Sequence, residues 1–196
     1  MSTLSSIHKP ALLIGEGKDE ELVFSALVRY LKLDGKIQVA SYGGKNELIP
    51  FLKLLRFSTG FLALTALGIT RDADDDCDAA LASVNSAIQS AKLPNTLRIE
   101  TFILPKIGTP GALEAVILEA VAATPAWPCV TAFAECVATK ENEPISPTEQ
   151  DKRKLHAWLS ALPRPALRLG EAANAGLIPF DHEAFTPLKD FITRLT

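Results

Sequence analysis

The run Asp72-Ala73-Asp74-Asp75-Asp76-Cys77-Asp78 concentrates carboxylates where an apolar segment ends. Carboxylate oxygens are hard donors, and Mg²⁺ binds through one or two of them while keeping several waters. Crowded like charges are costly, so a cation between them would relieve the repulsion. Asp72 and Asp74 stand two apart at the end of an expected strand. They can point the same way once the chain leaves the pleat, and they are the first candidate metal ligands. The run also has the composition of a helix start, because an aspartate cap and an acidic first turn suit the positive end of a helix dipole. At least one of Asp75, Asp76 and Asp78 is expected to serve there.

A second acidic position, Glu16-Gly17-Lys18-Asp19-Glu20, follows the first apolar run. Glu16 suits a metal ligand or a general acid/base, and Gly17 allows a tight turn; an ordinary strand-to-helix turn is the other reading. Glu20 ranks behind Glu16, since an acid there also fits a first helical turn. Gly43-Gly44-Lys45-Asn46 offers free backbone N–H groups and a cation near a helix start, which suits a phosphate and equally a plain turn. Glu114 lies inside the helix opened by Pro110 and reads, by itself, as a solvated residue. His8, His156 and His182 are scattered, so no nucleophilic triad can be assembled from them. Cys77, Cys129 and Cys136 match no zinc spacing and are expected to be small buried hydrophobes in a reducing cytosol.

These residues need elements to hold them. Ala11–Gly15 has the pattern of a strand buried on both faces. A helix with Val23, Leu27, Tyr30 and Leu31 on its apolar stripe follows, up to Asp34-Gly35. Ile37–Tyr42 reads as a second strand and Asn46–Phe57 as a second helix. Phe61–Thr70 contains a third strand, clearest at Leu67–Arg71. A third helix would bury Cys77, Leu81, Val84 and Ile88, and Leu97–Leu104 is a fourth strand. Pro110 then opens a helix carrying Leu113, Val116, Ile117 and Val121. This alternation predicts a mainly parallel α/β sheet of about four strands flanked by helices, spanning residues 1–125. Residues 126–196, punctuated by prolines, are expected to form a helical extension packed on that core, with amphipathic pieces at Thr148–Leu162 and Glu183–Leu195 and an exposed loop over Glu141–Thr148. Glu16, Gly43-Gly44 and Asp72 all fall at strand carboxyl ends, where ligands collect in such sheets.

The 196-residue chain is 47% hydrophobic with a net charge of −3, which excludes the footprint of a tight general nucleic-acid binder. The N-terminus has no signal-peptide core, and residues 61–70 are too short to span a bilayer. A cytoplasmic protein without a membrane partner is expected; oligomeric state is not legible.

In combination these segments resemble the Toprim domain, shared by topoisomerases, bacterial primases and overcoming-lysogenization-defect (OLD) type nucleases. The matching pieces are Glu16-Gly17-Lys18-Asp19, then Tyr42-Gly43-Gly44-Lys45, then Gly68-Ile69-Thr70-Arg71-Asp72-Ala73-Asp74. Leu104-Pro105, Gly111-Ala112-Leu113-Glu114 and Phe180-Asp181 extend the resemblance, nearly full length, to a small prokaryotic Toprim-like family with no settled function. The resemblance implies a Toprim/Rossmann-like sheet, with Glu16 as ligand or general acid/base and Asp72 and Asp74 holding Mg²⁺ or Mn²⁺. It makes Glu114 the additional acid of OLD-type nucleases, with Glu20 completing a second metal position. Lysines accompany such centres, and Lys18, Lys45 and Lys106 are the candidates on the phosphate side. No topoisomerase tyrosine, zinc module, ATPase partner segment or Gly-x-x-x-x-Gly-Lys-Ser/Thr loop is found. Action with a protein partner, or metal binding without turnover, is then implied.

Two functions follow. One is a Mg²⁺-dependent phosphodiester hydrolase, nuclease-like, acting on DNA or RNA. The alternative is a catalytically silent regulatory protein that holds a cation or a nucleotide; an unrelated α/β phosphotransfer domain fits less well. A nuclease needs local cations beside the metal site, and Arg71, Lys18, Lys45 and Lys106 are the ones expected there. Lys152, Arg153 and Lys154 read as a solvated helix face.

Overall fold

Ala11–Gly15 (β1) is buried at every residue, as a continuous apolar run between two helical layers must be. Its side chains part to opposite faces: Ala11 and Leu13 enter one hydrophobic cluster, Leu12 and Ile14 the other. The computed structural model describes residues 4–106, 108–140, 145–164 and 168–196. After β1 the chain forms Lys18–Tyr30 (α1), Ile37–Ser41 (β2), Leu48–Leu55 (α2), Ala66–Asp72 (β3), Cys77–Ala91 (α3), Arg98–Leu104 (β4) and Leu113–Val121 (α4). The strands make a four-stranded sheet in the order β2-β1-β3-β4, with every pairing parallel. The α/β expectation therefore holds, strand for strand.

The strand order places a switch point at the centre. From β1 the chain moves outward to β2, then returns across the sheet to β3 on the other side of β1. Loops leave the carboxyl ends of β1 and β3 in opposite directions, and the crevice between them is where such sheets take ligands.

Helices Trp127–Ala138 (α5), Pro147–Ala161 (α6), Leu169–Asn174 (α7) and Thr186–Thr193 (α8) complete the described chain. They share the cluster that covers one face of the sheet, where Leu13, Phe24 and Ile117 pack with Trp158, Phe185 and Phe191. Two glycines let this happen. A methyl group on Gly68, in mid-β3, would lie 2.6 Å from Leu195 Cδ1, and one on Gly170 of α7 would overlap Leu22 of α1.

Several sequence expectations shift. Phe61–Ala63 is a 3-10 turn, and β3 begins only at Ala66. The α3 stripe is Ala80, Val84, Ala87 and Ala91, whereas Leu81 is 38% exposed. Size misled there: the helix sits close to its neighbours on alanines, and the larger apolar residues fall beside the contact. α4 starts at Leu113, three residues after Pro110, because the Gly111 backbone pairs with Asp74 and Ala112 is extended. Tyr30 is 50% exposed, its ring tilted against Phe180 with the two centroids 5.9 Å apart. Cys129 and Cys136 are exposed rather than buried, because α5 buries only Val130 of its residues. Of the loop expected over Glu141–Thr148, residues 141–144 lie outside the described set, and α6 already starts at Pro147. Among the described residues no helix is long and apolar enough to cross a membrane.

Candidate functional site

Glu16 is the first residue beyond β1, and its carbonyl accepts the N–H groups of Gly43 (3.0 Å) and Gly44 (2.9 Å). Those two amides are thus not free for a phosphate. They tie the loop after β2 to the loop after β1, and both glycines adopt positive φ, 94° and 121°, to do so. Gly15 has the complementary task of letting α1 approach, since a methyl there would lie 2.8 Å from Glu20 Cβ. Glu20 is brought in by that approach, and one of its oxygens accepts the Gly17 N–H at 2.9 Å. Lys18 turns to Glu21, at 2.6 Å.

Asp72 closes β3 opposite Leu104 of β4. Its Oδ1 accepts the N–H of Leu113 at 3.1 Å, so it also caps the first turn of α4, whose Ala112 has no side chain to do so. Glu114 follows immediately in that turn. Asp74 departs from the expectation that it would point with Asp72. Its φ of 51° is left-handed, and its backbone pairs with Gly111 in both directions, at 2.9 and 2.7 Å. Left-handed backbone breaks the two-residue alternation of a strand, and the Asp74 carboxylate reaches Lys45 at 2.7 Å instead. Asp76 is the cap of α3, accepting the Ala79 N–H at 2.9 Å, and Asp78 lies in its first turn.

Glu16, Glu20, Asp72 and Glu114 line one cavity of about 870 Å³ at the switch point, together with Gly43 and Gly44. Asp72 also borders a neighbouring cleft of about 360 Å³ that takes Asp74, Lys45 and Arg71. Burial pushes the Asp72 carboxyl up to about 8; repulsion from Glu20, Glu114 and Glu16 adds to this, and the Leu113 N–H opposes it. Burial likewise raises Glu16, against the attraction of Arg71 and with the repulsion of Asp74. Glu20 rises for the same first reason, opposed by the Gly17 N–H. None of these carboxylates has a salt bridge among the described residues.

The cations expected beside the site are distributed differently. Arg71 is only 4% exposed; it donates to the Lys45 carbonyl at 3.2 Å, while its Nε has no partner. It balances Glu16 from within the protein and offers no surface charge. Lys106 lines a separate cavity beside Pro105 and Glu119. The wall facing the carboxylates is instead formed by Lys152, His156 and Ser160 of α6 and by Arg168, just before α7. Sequence reading missed them. Their signal was present in the four-residue spacing of Lys152, His156 and Ser160, beside the buried Leu155, Trp158 and Leu159, but nothing local shows what that stripe faces. Tyr42 is fully buried with its hydroxyl on the Thr70 carbonyl at 3.1 Å, and burial pushes its phenol upward, so it is no exposed nucleophile.

Among the described residues no three Asp, Glu, His or Cys side chains are drawn together tightly enough to cage a metal ion as they stand. The donor set nevertheless suits a hydrated hard cation. Its oxygens are carboxylate, its half-buried negative charge is held in no salt bridge among the described residues, and Mg²⁺ needs only one or two such ligands beside its waters.

No curated protein matches the chain. A similar solved structure is the C-terminal region of the OLD protein of Xanthomonas campestris pv. campestris, 18% identical, covering 89% of this chain and 98% of that one. Its TM-score of 0.36 is too low to carry an argument. Residues 10–196 match the model of a family described as a protein of unknown function, DUF3226, and the chain belongs to that family.

Proposed function

We propose that this chain is a divalent-cation-dependent phosphodiester hydrolase acting on nucleic acid in the cytoplasm. The observation that carries the reading is the convergence of Glu16, Glu20, Asp72 and Glu114 on one cavity with no salt bridge to any of them among the described residues. The motif order that resembles Toprim domains supports it independently. Glu20, Asp72 and Glu114 would hold Mg²⁺, or Mn²⁺ in its stead, leaving Glu16 beside them for proton transfer. Asp74 would join them only by leaving Lys45. The cation would supply positive charge at a phosphoryl oxygen and make a nearby water more acidic.

The remaining tasks belong to the protein. Glu16, raised by burial, holds a proton more readily than an exposed glutamate and is suited to pass it to a leaving oxygen. Arg71 opposes that rise through space, favouring the charged carboxylate. The carbonyl bonds from Gly43 and Gly44 fix the backbone of Glu16, so its position does not depend on substrate. Lys18 and Lys45, at the loop ends, can meet phosphate oxygens after exchanging their present carboxylate partners.

The test is cleavage of single-stranded DNA, duplex DNA and RNA in Mg²⁺ or Mn²⁺, with Asp72→Asn and Glu16→Gln alongside. Cleavage that needs the cation and disappears in both variants is expected. Cleavage untouched by them would overturn the reading. Cation binding by calorimetry without turnover on any substrate would instead favour a silent regulatory protein.

A further inference from the structure

α6 carries two kinds of cation. Arg153 and Lys154 are paired along the helix, with Glu149 at 3.1 Å and Asp151 at 3.6 Å. Lys152 has no carboxylate among the described residues, and neither does Arg168. These two, with His156 and Ser160, are exposed and line the large cavity across from the acidic strand ends. The helix is held in that pose by Leu155, Trp158 and Leu159, which are buried beside that stripe, Leu155 and Leu159 also bordering the cavity. The wall is therefore fixed and its cations are unneutralised. Charges that could have been paired locally, as their neighbours are, have been left to face the cavity.

A cavity with carboxylates on its floor and cations on its wall suits neither a lone cation nor a simple anion. It suits a ligand that brings anionic groups and accepts a divalent cation at one of them. At about 870 Å³ it lies at the large end of small-ligand sites and exceeds what one phosphate requires. Among the described residues its lining holds no Phe, Tyr or Trp, the large rings on which single-strand binders stack successive bases. Recognition then runs chiefly through phosphates and sugars, which carries little sequence preference.

The geometry points to Lys152, His156 and Arg168 as a backbone grip for a nucleic-acid strand, engaging the phosphates that flank the one presented to the acidic floor. This rests on the reading of the cavity as a phosphodiester site, and it assigns the grip to the C-terminal helices rather than to the strand-end loops. The net charge of −3 is no obstacle, because the field that matters is the local one within the cleft.

The experiment is anisotropy titration of a fluorescein-labelled twelve-nucleotide oligothymidylate and of the matching duplex, in EDTA, across a range of NaCl. Without a divalent cation, binding is read apart from cleavage. Lys152→Gln/Arg168→Gln should weaken binding by about tenfold or more, and should lower the slope of log K against log salt by roughly 1.5 to 2. Lys154→Gln removes an equal charge per residue from the same helix but outside the cavity, and should leave the slope unchanged. Asp72→Asn should bind at least as tightly as wild type. A slope unaltered by the double variant, or equal losses with Lys154→Gln, would overturn the inference. So would competition by AMP at the same concentration of phosphate as the oligonucleotide, which would mark a mononucleotide site. If the wall binds strands as expected but no divalent cation supports cleavage, the grip stands and the hydrolase reading fails. If cleavage depends on Asp72 yet ignores Lys152 and Arg168, the reverse holds.

Discussion

Asp72 and Asp76 stand four residues apart in one acidic run, yet they occupy opposite physical situations. Asp76 is exposed, accepts one N–H from its own helix and does what an aspartate before a helix ordinarily does. Asp72 is half-enclosed at the switch point, with three other carboxylates acting on it and only a backbone N–H in compensation. Asp74 lies between them in character as well as in sequence, left-handed in backbone and paired with Lys45. The difference shows that the density of acids along the chain marks the neighbourhood of a site and says little about its membership. Burial without a partner is the discriminating property, and it is a property of the fold.

The largest expected effect separates Asp72 from Asp74. Asp72→Asn should lower cation-dependent cleavage by about a hundredfold or more, as loss of a group essential to the chemistry does. Asp74→Asn should cost no more than about tenfold. Initial rates in Mg²⁺ measure both, and equal losses would erase the distinction between them.

Stability against pH sharpens the same contrast. A carboxyl raised to about 8 in the folded chain stabilises it fully only below its unfolded value, near 3.9, and that contribution disappears as pH rises through the folded value. The cation-free protein should accordingly lose stability between about pH 4 and pH 8 through Asp72. Asp72→Asn should flatten that decline and be more stable than wild type at pH 8 by several kcal/mol. Urea unfolding at several pH values measures it, and parallel curves would refute the burial argument.

Smaller effects belong to the exposed acids. Asp76→Ala should destabilise by about 1 kcal/mol through the lost cap and leave Mg²⁺ binding unaltered by calorimetry. The Lys45–Asp74 pair, exposed on both sides, should give a coupling below about 1 kcal/mol in a double-mutant cycle, fading with salt. A coupling several times larger would mean that Asp74 is held as firmly as Asp72.

Much of the fold was legible because each strand announced itself. β1 is continuously apolar, and the spacing of the later strands leaves room for one helix apiece. Three strand ends with acids or glycines beyond them are what the sequence could supply about the site, and Glu16, Glu20, Asp72 and Glu114 do meet there. Glu114 converges only because Asp72 caps its helix, a bond across 41 positions of chain that no spacing rule contains. The divergence of Asp74 follows from one positive φ, which an aspartate tolerates but does not require. Arg71 looks like a surface cation in a list of residues, and strand parity turns it inward. The α6 wall was the least legible part, since a polar stripe on a helix looks the same whether it faces solvent or a cavity.

One carbonyl, that of Glu16, holds two amides of another loop. This bears on how the sequence can drift without losing the site. An insertion anywhere in residues 15–17 or 42–44 would release both loops together, so length in these two turns should be inherited jointly. The connection from α2 to β3, which has no such tie to the cavity, is where relatives should differ in length.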